Sequence, residues 1–159
     1  MKELFEQFIE KINMKEEELK RKEEKIYINE LEKIEKKCRE LQEKYKKYKD
    51  ILVKEAKDRI CISLGNDINF IYELNYNGFI NAYLAFAVYS YWVEISQKEW
   101  DQKTNQNKIK TSIKYIYDKH WEKEVEQELD DYILKQLKNR LERIEKKENE
   151  LRELEKKLG

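Results

Sequence analysis

Residues 58–100 read DRICISLGNDINFIYELNYNGFINAYLAFAVYSYWVEISQKEW, and the reading of this stretch decides the fold. It is the long region not dominated by Lys and Glu. It holds Gly65 and Gly78, two of the chain's three glycines, and Trp92 and Trp100, two of its three tryptophans. From Asp58 to Leu64 the residues alternate: Ile60, Ile62 and Leu64 face one way, Arg59, Cys61 and Ser63 the other, as in a half-buried strand. Gly65-Asn66-Asp67 supplies turn chemistry. Ile68–Tyr76 is rich in β-branched and aromatic residues and ends at Asn77-Gly78, a strong hairpin signal that would set Tyr76 opposite Phe79.

From Phe79 onward two periods coexist. Ile80, Tyr83, Leu84, Ala87, Val88, Tyr91, Trp92 and Ile95 form a helical face, while the even positions from 80 to 92 are mostly apolar, as in a strand. The hairpin turn and the aromatics favour strand to about Val93, broken near Ser90. The alanines and the length leave the helical alternative open.

Both flanks are charged, Pro-free and helix-favouring. At the N-terminus Leu4, Phe5, Phe8, Ile9 and Ile12 share one helical face. KEEELKRKEEK at 15–25 has only Leu19 as an apolar anchor and reads as solvated helix, supported by Glu–Lys pairs at i, i+4. From Leu31 the spacing sharpens to Leu31, Ile34, Cys38, Leu41, Tyr45, Tyr48 and Leu52, a heptad seam. After a polar connection over 97–108, a helix is expected from Thr111 or Ser112 as N-cap to about Leu158. Its inner face is Ile113, Ile116, Trp121, Val125, Leu129 and Ile133. Leu134, Leu137, Leu141, Ile144, Glu148, Leu151, Glu155 and Leu158 follow at 3,4 spacing, a seam weakened by its two glutamates.

The expected fold is therefore α+β and mostly α, in one domain spanning 1–159. An N-terminal helix (1–57) and a C-terminal helix (108–158) pack antiparallel as a coiled-coil arm, with a small antiparallel β insert (58–100) joining them at one end. The thin core of a two-stranded arm implies self-association, most simply through the sheet.

The composition bounds the function. Charged residues make up 43% of the chain, yet 34 basic and 34 acidic residues cancel, so no net field steers it toward nucleic acid. Cys38 and Cys61 form no metal or redox motif and read as reduced thiols of a cytoplasmic protein. Phe79–Ile95 is too short and too polar for a membrane span, and none is expected. The Lys, Glu, Ile, Asn and Tyr bias matches AT-rich genomes, as in low-GC bacteria and their phages.

No motif carries catalytic chemistry, and neither an enzyme nor a cofactor is expected. His120 is the only histidine, with Glu124 one turn on and no further ligand at metal spacing. The acidic run Glu122–Asp131 is distributed around its helix.

Partner binding is the expected function. The insert's aromatics, Phe70, Tyr72, Tyr76, Phe79, Tyr83, Tyr89, Tyr91 and Trp92, exceed what three short strands can hide, and such patches mark partner sites. The sharpest form is a small phage or mobile-element inhibitor of a larger host machine. A nucleic-acid alternative uses a basic band from Lys44 to Arg59, with Lys46, Lys47 and Lys49, joined by Lys108, Lys110 and Lys114 at the same end. Helix, hairpins, helix with a coiled-coil arm is similar in layout to the prefoldin chaperone subunits. That resemblance implies client contact at the arm tip through Leu4, Phe5, Phe8 and Ile9.

Overall fold

The computed structural model describes residues 1–53 and 59–159. Within them the chain is α+β and mostly helical. The expected start of the first strand at Asp58, and Lys54 and Lys57 of the basic band, lie outside the described residues.

Helix α1 runs over Lys2–Lys44, uninterrupted by Gly or Pro and rich in Lys and Glu, which lose little rotamer freedom in a helix. The single helix expected over 1–57 is corrected: α1 stops at Tyr45, whose ring is drawn into the core. A 3-10 turn (Lys46–Tyr48) and the short α2 (Lys49–Val53) follow. Strands β1 (Arg59–Gly65), β2 (Ile68–Leu74), β3 (Ile80–Val88) and β4 (Tyr91–Glu94) make an antiparallel meander in sequential order. Phe79–Ile95, where both periods were legible, supplies β3 and β4 around a turn at Tyr89–Ser90. Helices α3 (Gln97–Asp101), α4 (Gln106–Ile116) and α5 (Trp121–Leu158) complete the chain.

The β1–β2 turn places Gly65, Asn66 and Asp67 at φ of 87°, 50° and 59°, which Gly, Asn and Asp tolerate best. A Cβ at Gly65 would also run into the Tyr115 hydroxyl of α4. At the β2–β3 turn Asn75, not Tyr76, faces Phe79: the Asn75 N–H donates to the Phe79 carbonyl at 2.8 Å. The Asn75 side chain accepts from the N–H groups of Asn77 and Phe79, each at 3.0 Å, and Gly78 takes the left-handed position of a three-residue loop.

The sheet is sided. Ile62, Phe70 and Leu84 are register partners across three strands, as are Ile68, Phe86 and Val93 across β2–β4. This face packs on the helices. The opposite face carries Cys61, Ile71 and Tyr83 in register, and Arg59 beside Glu73. Arg59 is ion-paired with Glu73 at 2.8 Å, and the Tyr83 hydroxyl donates to Glu73 at 3.0 Å.

Two expectations about how the helices pack are corrected. The α1 seam does not meet α5 in a coiled coil; it lies on the sheet. Leu31, Ile34, Cys38 and Leu41 are buried there; Tyr45, just past the end of α1, and Leu52, in α2, are buried as well, with Tyr48 half-buried. The Gln42 side chain accepts from the Ala82 N–H at 3.0 Å, satisfying β3 backbone beyond the reach of the short β4. The alternating apolar face of a sheet offers a broader surface than one helical stripe, and the heptad residues cover it.

Nor do α1 and α5 run antiparallel. Lys37 pairs with Glu122 at 3.6 Å, Lys44 with Glu126 at 3.1 Å, and the Tyr45 hydroxyl donates to Asp130 at 2.7 Å. Partner numbers ascend together, so the helices run in the same sense where they touch. The reason lies in the connection over 97–120. The expected polar link contains α3, capped by Ser96, whose hydroxyl accepts from the Glu99 N–H at 3.3 Å, and α4 already begins at Gln106. Thr111 sits inside α4, its hydroxyl donating to the Asn107 carbonyl at 3.0 Å. The expected single helix breaks at Tyr117–His120, which lets Ile109, Ile113 and Ile116 of α4 and Trp121, Val125, Leu129 and Ile133 of α5 all enter the core.

Candidate interaction surfaces

The parallel sense of α1 and α5 has a geometric consequence. The core grips α1 between Tyr27 and Tyr45 and α5 between Trp121 and Ile133. The remainder of each helix leaves the core at opposite ends, as an N-terminal arm (residues 2–26) and a C-terminal arm (134–158). At 1.5 Å per residue each arm is about 37 Å long. Every residue of 1–26 and of 141–159 is exposed.

The N-terminal arm carries Leu4, Phe5, Phe8 and Ile9 at exposures of 47%, 55%, 57% and 57%, followed by Ile12, Leu19 and Ile26. The C-terminal arm carries Leu134, Leu137, Leu141 and Ile144, expected as buried seam and found exposed, then Leu151, Leu154 and Leu158. Both stripes lie beyond the spans of α1 and α5 that the core buries, and that is why they are exposed.

The aromatic candidates separate into three groups. Phe70 and Tyr72 are fully buried against the helix layer, which corrects their placement on a partner surface: they point to the packed side of β2. Tyr83 is half-buried and engaged by Glu73. Tyr76, Phe79, Tyr89, Tyr91 and Trp92 are exposed, but Tyr76 and Phe79 lie at the start of β3 and the other three at its end. A nine-residue strand, about 30 Å at 3.3 Å per residue, keeps them apart. Tyr89, Tyr91 and Trp92 border an open concavity of about 920 Å3 with Glu99, Asn105 and Lys108.

The basic band is not assembled. Lys46, Lys47 and Lys49 follow the C-terminal end of α1, whereas Lys110 lies beside the root of the N-terminal arm. There Lys110 pairs with Glu23 at 2.8 Å and sits over the rings of Tyr27 and Trp100. Lys114, one helical turn on in α4, contributes to holding the Glu23 carboxyl below its usual range, an effect led by the Lys110 hydrogen bond. From Tyr27 to Tyr45 is about 27 Å of helix. The two lysine groups therefore lie about that far apart along α1 and do not form one contiguous patch.

His120 is exposed and takes the N-cap position of α5. Among the described residues no group of three or more His, Cys, Asp or Glu side chains is placed to hold a metal ion, and no helix is long and apolar enough to cross a membrane.

One ionisable group sits in an unfavourable setting. Glu94, half-buried at the end of β4, shares a groove of about 330 Å3 with Glu35, Cys38 and Arg39. Burial first, then the charges of Glu35 and Glu99, push its carboxyl above the usual range, with Lys98 opposing. The folded protein therefore binds this proton more tightly than the unfolded chain does. The penalty is present in full above the folded pKa and disappears as pH falls toward the unfolded value. Glu94→Gln is expected to raise the melting temperature by a few degrees at pH 7 and to lose that advantage below about pH 4. Thermal scans of both proteins across that range check it.

Comparison with protein-family models, curated proteins and solved structures finds no significant match to this chain.

Proposed function

We propose that this chain is a non-enzymatic protein-binding module that engages its partner through the end of the N-terminal arm. The observation that carries the reading is the cluster Leu4, Phe5, Phe8 and Ile9. These are four large apolar side chains about half exposed, on a helix held clear of the core. Apolar side chains at i, i+3 and i+4 on a preformed helix are the anchors of helix-in-groove recognition, and aromatic anchors dominate such interfaces. A rigid helix loses little conformational entropy on docking.

A narrower reading, supported by composition, makes the partner a host machine inhibited by a phage or mobile-element protein. The prefoldin-like reading loses its geometric support, because the helix ends lie at opposite ends of the core instead of converging on one arm tip.

The test is affinity capture of the tagged protein from native lysate, with nuclease present, comparing the wild type with Phe5→Glu/Phe8→Glu. One stoichiometric partner held by the wild type and reduced at least tenfold by the variant is the expected result. Capture unchanged by the variant, or a signal that vanishes with nuclease, overturns the reading.

A further inference from the structure

The stripes of the two arms carry charges at matching places. On the N-terminal arm the heptad positions next to the core are Ile12, Lys15, Leu19, Lys22 and Ile26. On the C-terminal arm they are Ile144, Glu148, Leu151, Glu155 and Leu158. Each series alternates apolar, charged, apolar, charged, apolar. The steps are 3,4,3,4 in the first and 4,3,4,3 in the second, so they coincide only when one helix is reversed. Laid antiparallel, Ile12 meets Leu158, Lys15 meets Glu155, Leu19 meets Leu151, Lys22 meets Glu148 and Ile26 meets Ile144. Five consecutive layers match like with like in polarity and opposite with opposite in charge.

We propose that the N-terminal arm of one copy of this chain pairs antiparallel with the C-terminal arm of a second copy in this register. The inference rests on the reading of the arms as interaction surfaces and names a second copy as their occupant. A single chain cannot make the pair, because its arms leave the core at opposite ends. Two copies related by a two-fold axis make it twice, once at each end, and the assembly closes.

Charge excludes the alternatives. In parallel pairs of identical arms, Lys15 and Lys22, or Glu148 and Glu155, face themselves. In antiparallel pairs of identical arms they face apolar residues or one another, and no seam lysine meets a seam glutamate. Only the mixed antiparallel pair neutralises the seam charges, the device by which polar core positions specify coiled-coil partners. Within one chain Glu148 makes an exposed pairing with Arg152 at 3.8 Å, a contact on its own helix that leaves the seam side open. The matched layers leave Leu4, Phe5, Phe8 and Ile9 outside the pairing, available to the partner proposed above.

The test is the solution mass of the full chain by light scattering and sedimentation. The wild type is expected to be a dimer at micromolar concentration. Lys15→Glu/Lys22→Glu and Glu148→Lys/Glu155→Lys are each expected to weaken the dimer at least about 100-fold, since like charges then oppose in every charged layer. The quadruple variant combining both exchanges is expected to restore it.

A second measurement reads orientation. In a Cys61→Ser background, Leu19→Cys/Leu151→Cys is expected to oxidise to a covalent dimer, whereas Leu19→Cys alone is not. A monomeric wild type, a dimer indifferent to either charge reversal, a quadruple variant that stays dissociated, or cross-linking through Leu19→Cys alone overturns the proposal. Phe5→Glu/Phe8→Glu is expected to leave the mass unchanged while losing the captured partner. Failure of the dimer and failure of the tip are therefore read separately.

Discussion

Trp100→Ala is expected to cost about 3–5 kcal/mol, a large share of the roughly 5–15 kcal/mol that holds a domain folded. Trp100 is 2% exposed. Its ring stacks on Tyr27 of α1 with centroids 5.8 Å apart and lies under the Lys110 ammonium. Its main-chain carbonyl, which truncation leaves in place, accepts from the Gln106 side chain at 2.9 Å. One side chain thus joins α3, α4 and the root of the N-terminal arm, and truncation leaves a cavity none of the three can fill alone. The indole N–H is buried with no acceptor among the described residues, a standing desolvation cost. Trp100→Phe keeps most of the ring and removes that orphan donor, so it is expected to lose less than half as much. Urea unfolding of the three proteins measures both differences. A loss below about 1 kcal/mol for the alanine variant, far under the cost of an ordinary buried-aromatic truncation, would show that this junction does not hold the helix layer together.

The second large effect is expected at Tyr45. The Tyr72 hydroxyl donates to the Tyr45 carbonyl at 3.2 Å, and the Tyr45 hydroxyl donates to Asp130 at 2.7 Å. A strand, the end of α1 and α5 are tied in series. Tyr45→Phe keeps the buried ring but removes a hydrogen bond to a charged group, at about 1.5–3 kcal/mol. Tyr45→Ala adds the cavity and is expected to reach about 3–5 kcal/mol.

The same residues set an alkaline limit. Burial first, then the Asp130 hydrogen bond, raises the Tyr45 pKa well above its ordinary value. Burial pushes Tyr72 and Cys38 up to about 12. Burial, reinforced by Glu73, does the same to Tyr83. Folded pKa values above unfolded ones mean that stability is intact below the unfolded values and declines as pH rises through them toward the folded values. Decline is expected to begin near about pH 9 with Cys38 and to steepen past about pH 10 with the tyrosines. The phenolate absorbance contributed by Tyr45, Tyr72 and Tyr83 should lag behind free tyrosine until unfolding releases it. Tyr45→Phe should make the alkaline loss shallower; an unchanged slope would remove Tyr45 from the explanation.

Much of the architecture was legible because its signals are local. Alternation at Ile60, Ile62 and Leu64 marks a strand whichever element it meets. The turn residues Gly65-Asn66-Asp67 and Asn77-Gly78 name their positions through backbone preference alone, although the Asn75 side chain lengthened the second turn by a residue. The 3,4 spacing from Leu31 announces a buried helical face, and burial followed as far as Leu41, although the helix ends at Lys44 and Tyr48 stays half-buried. The apolar character of Leu4, Phe5, Phe8 and Ile9 was equally plain.

What a buried face packs against is not a local property. The α1 seam is as compatible with a sheet as with another helix, because both offer apolar side chains at similar depth. Phe70 and Phe79 are the same residue type, yet the pleat sends Phe70 inward, while Phe79 sits in a turn that neither face of the sheet covers. The break at Tyr117–His120 carries no Pro or Gly; it exists because α4 and α5 each gain a buried face by turning there. That turn makes α5 run alongside α1 in the same sense, and it thereby sends the arms apart and divides the lysines that sequence had grouped. Periodicity and turn chemistry determined the elements and the striped arms, since these depend on neighbours within a few residues. Direction, contact partner and exposure were decided by the tertiary structure alone, because each depends on where a distant segment returns.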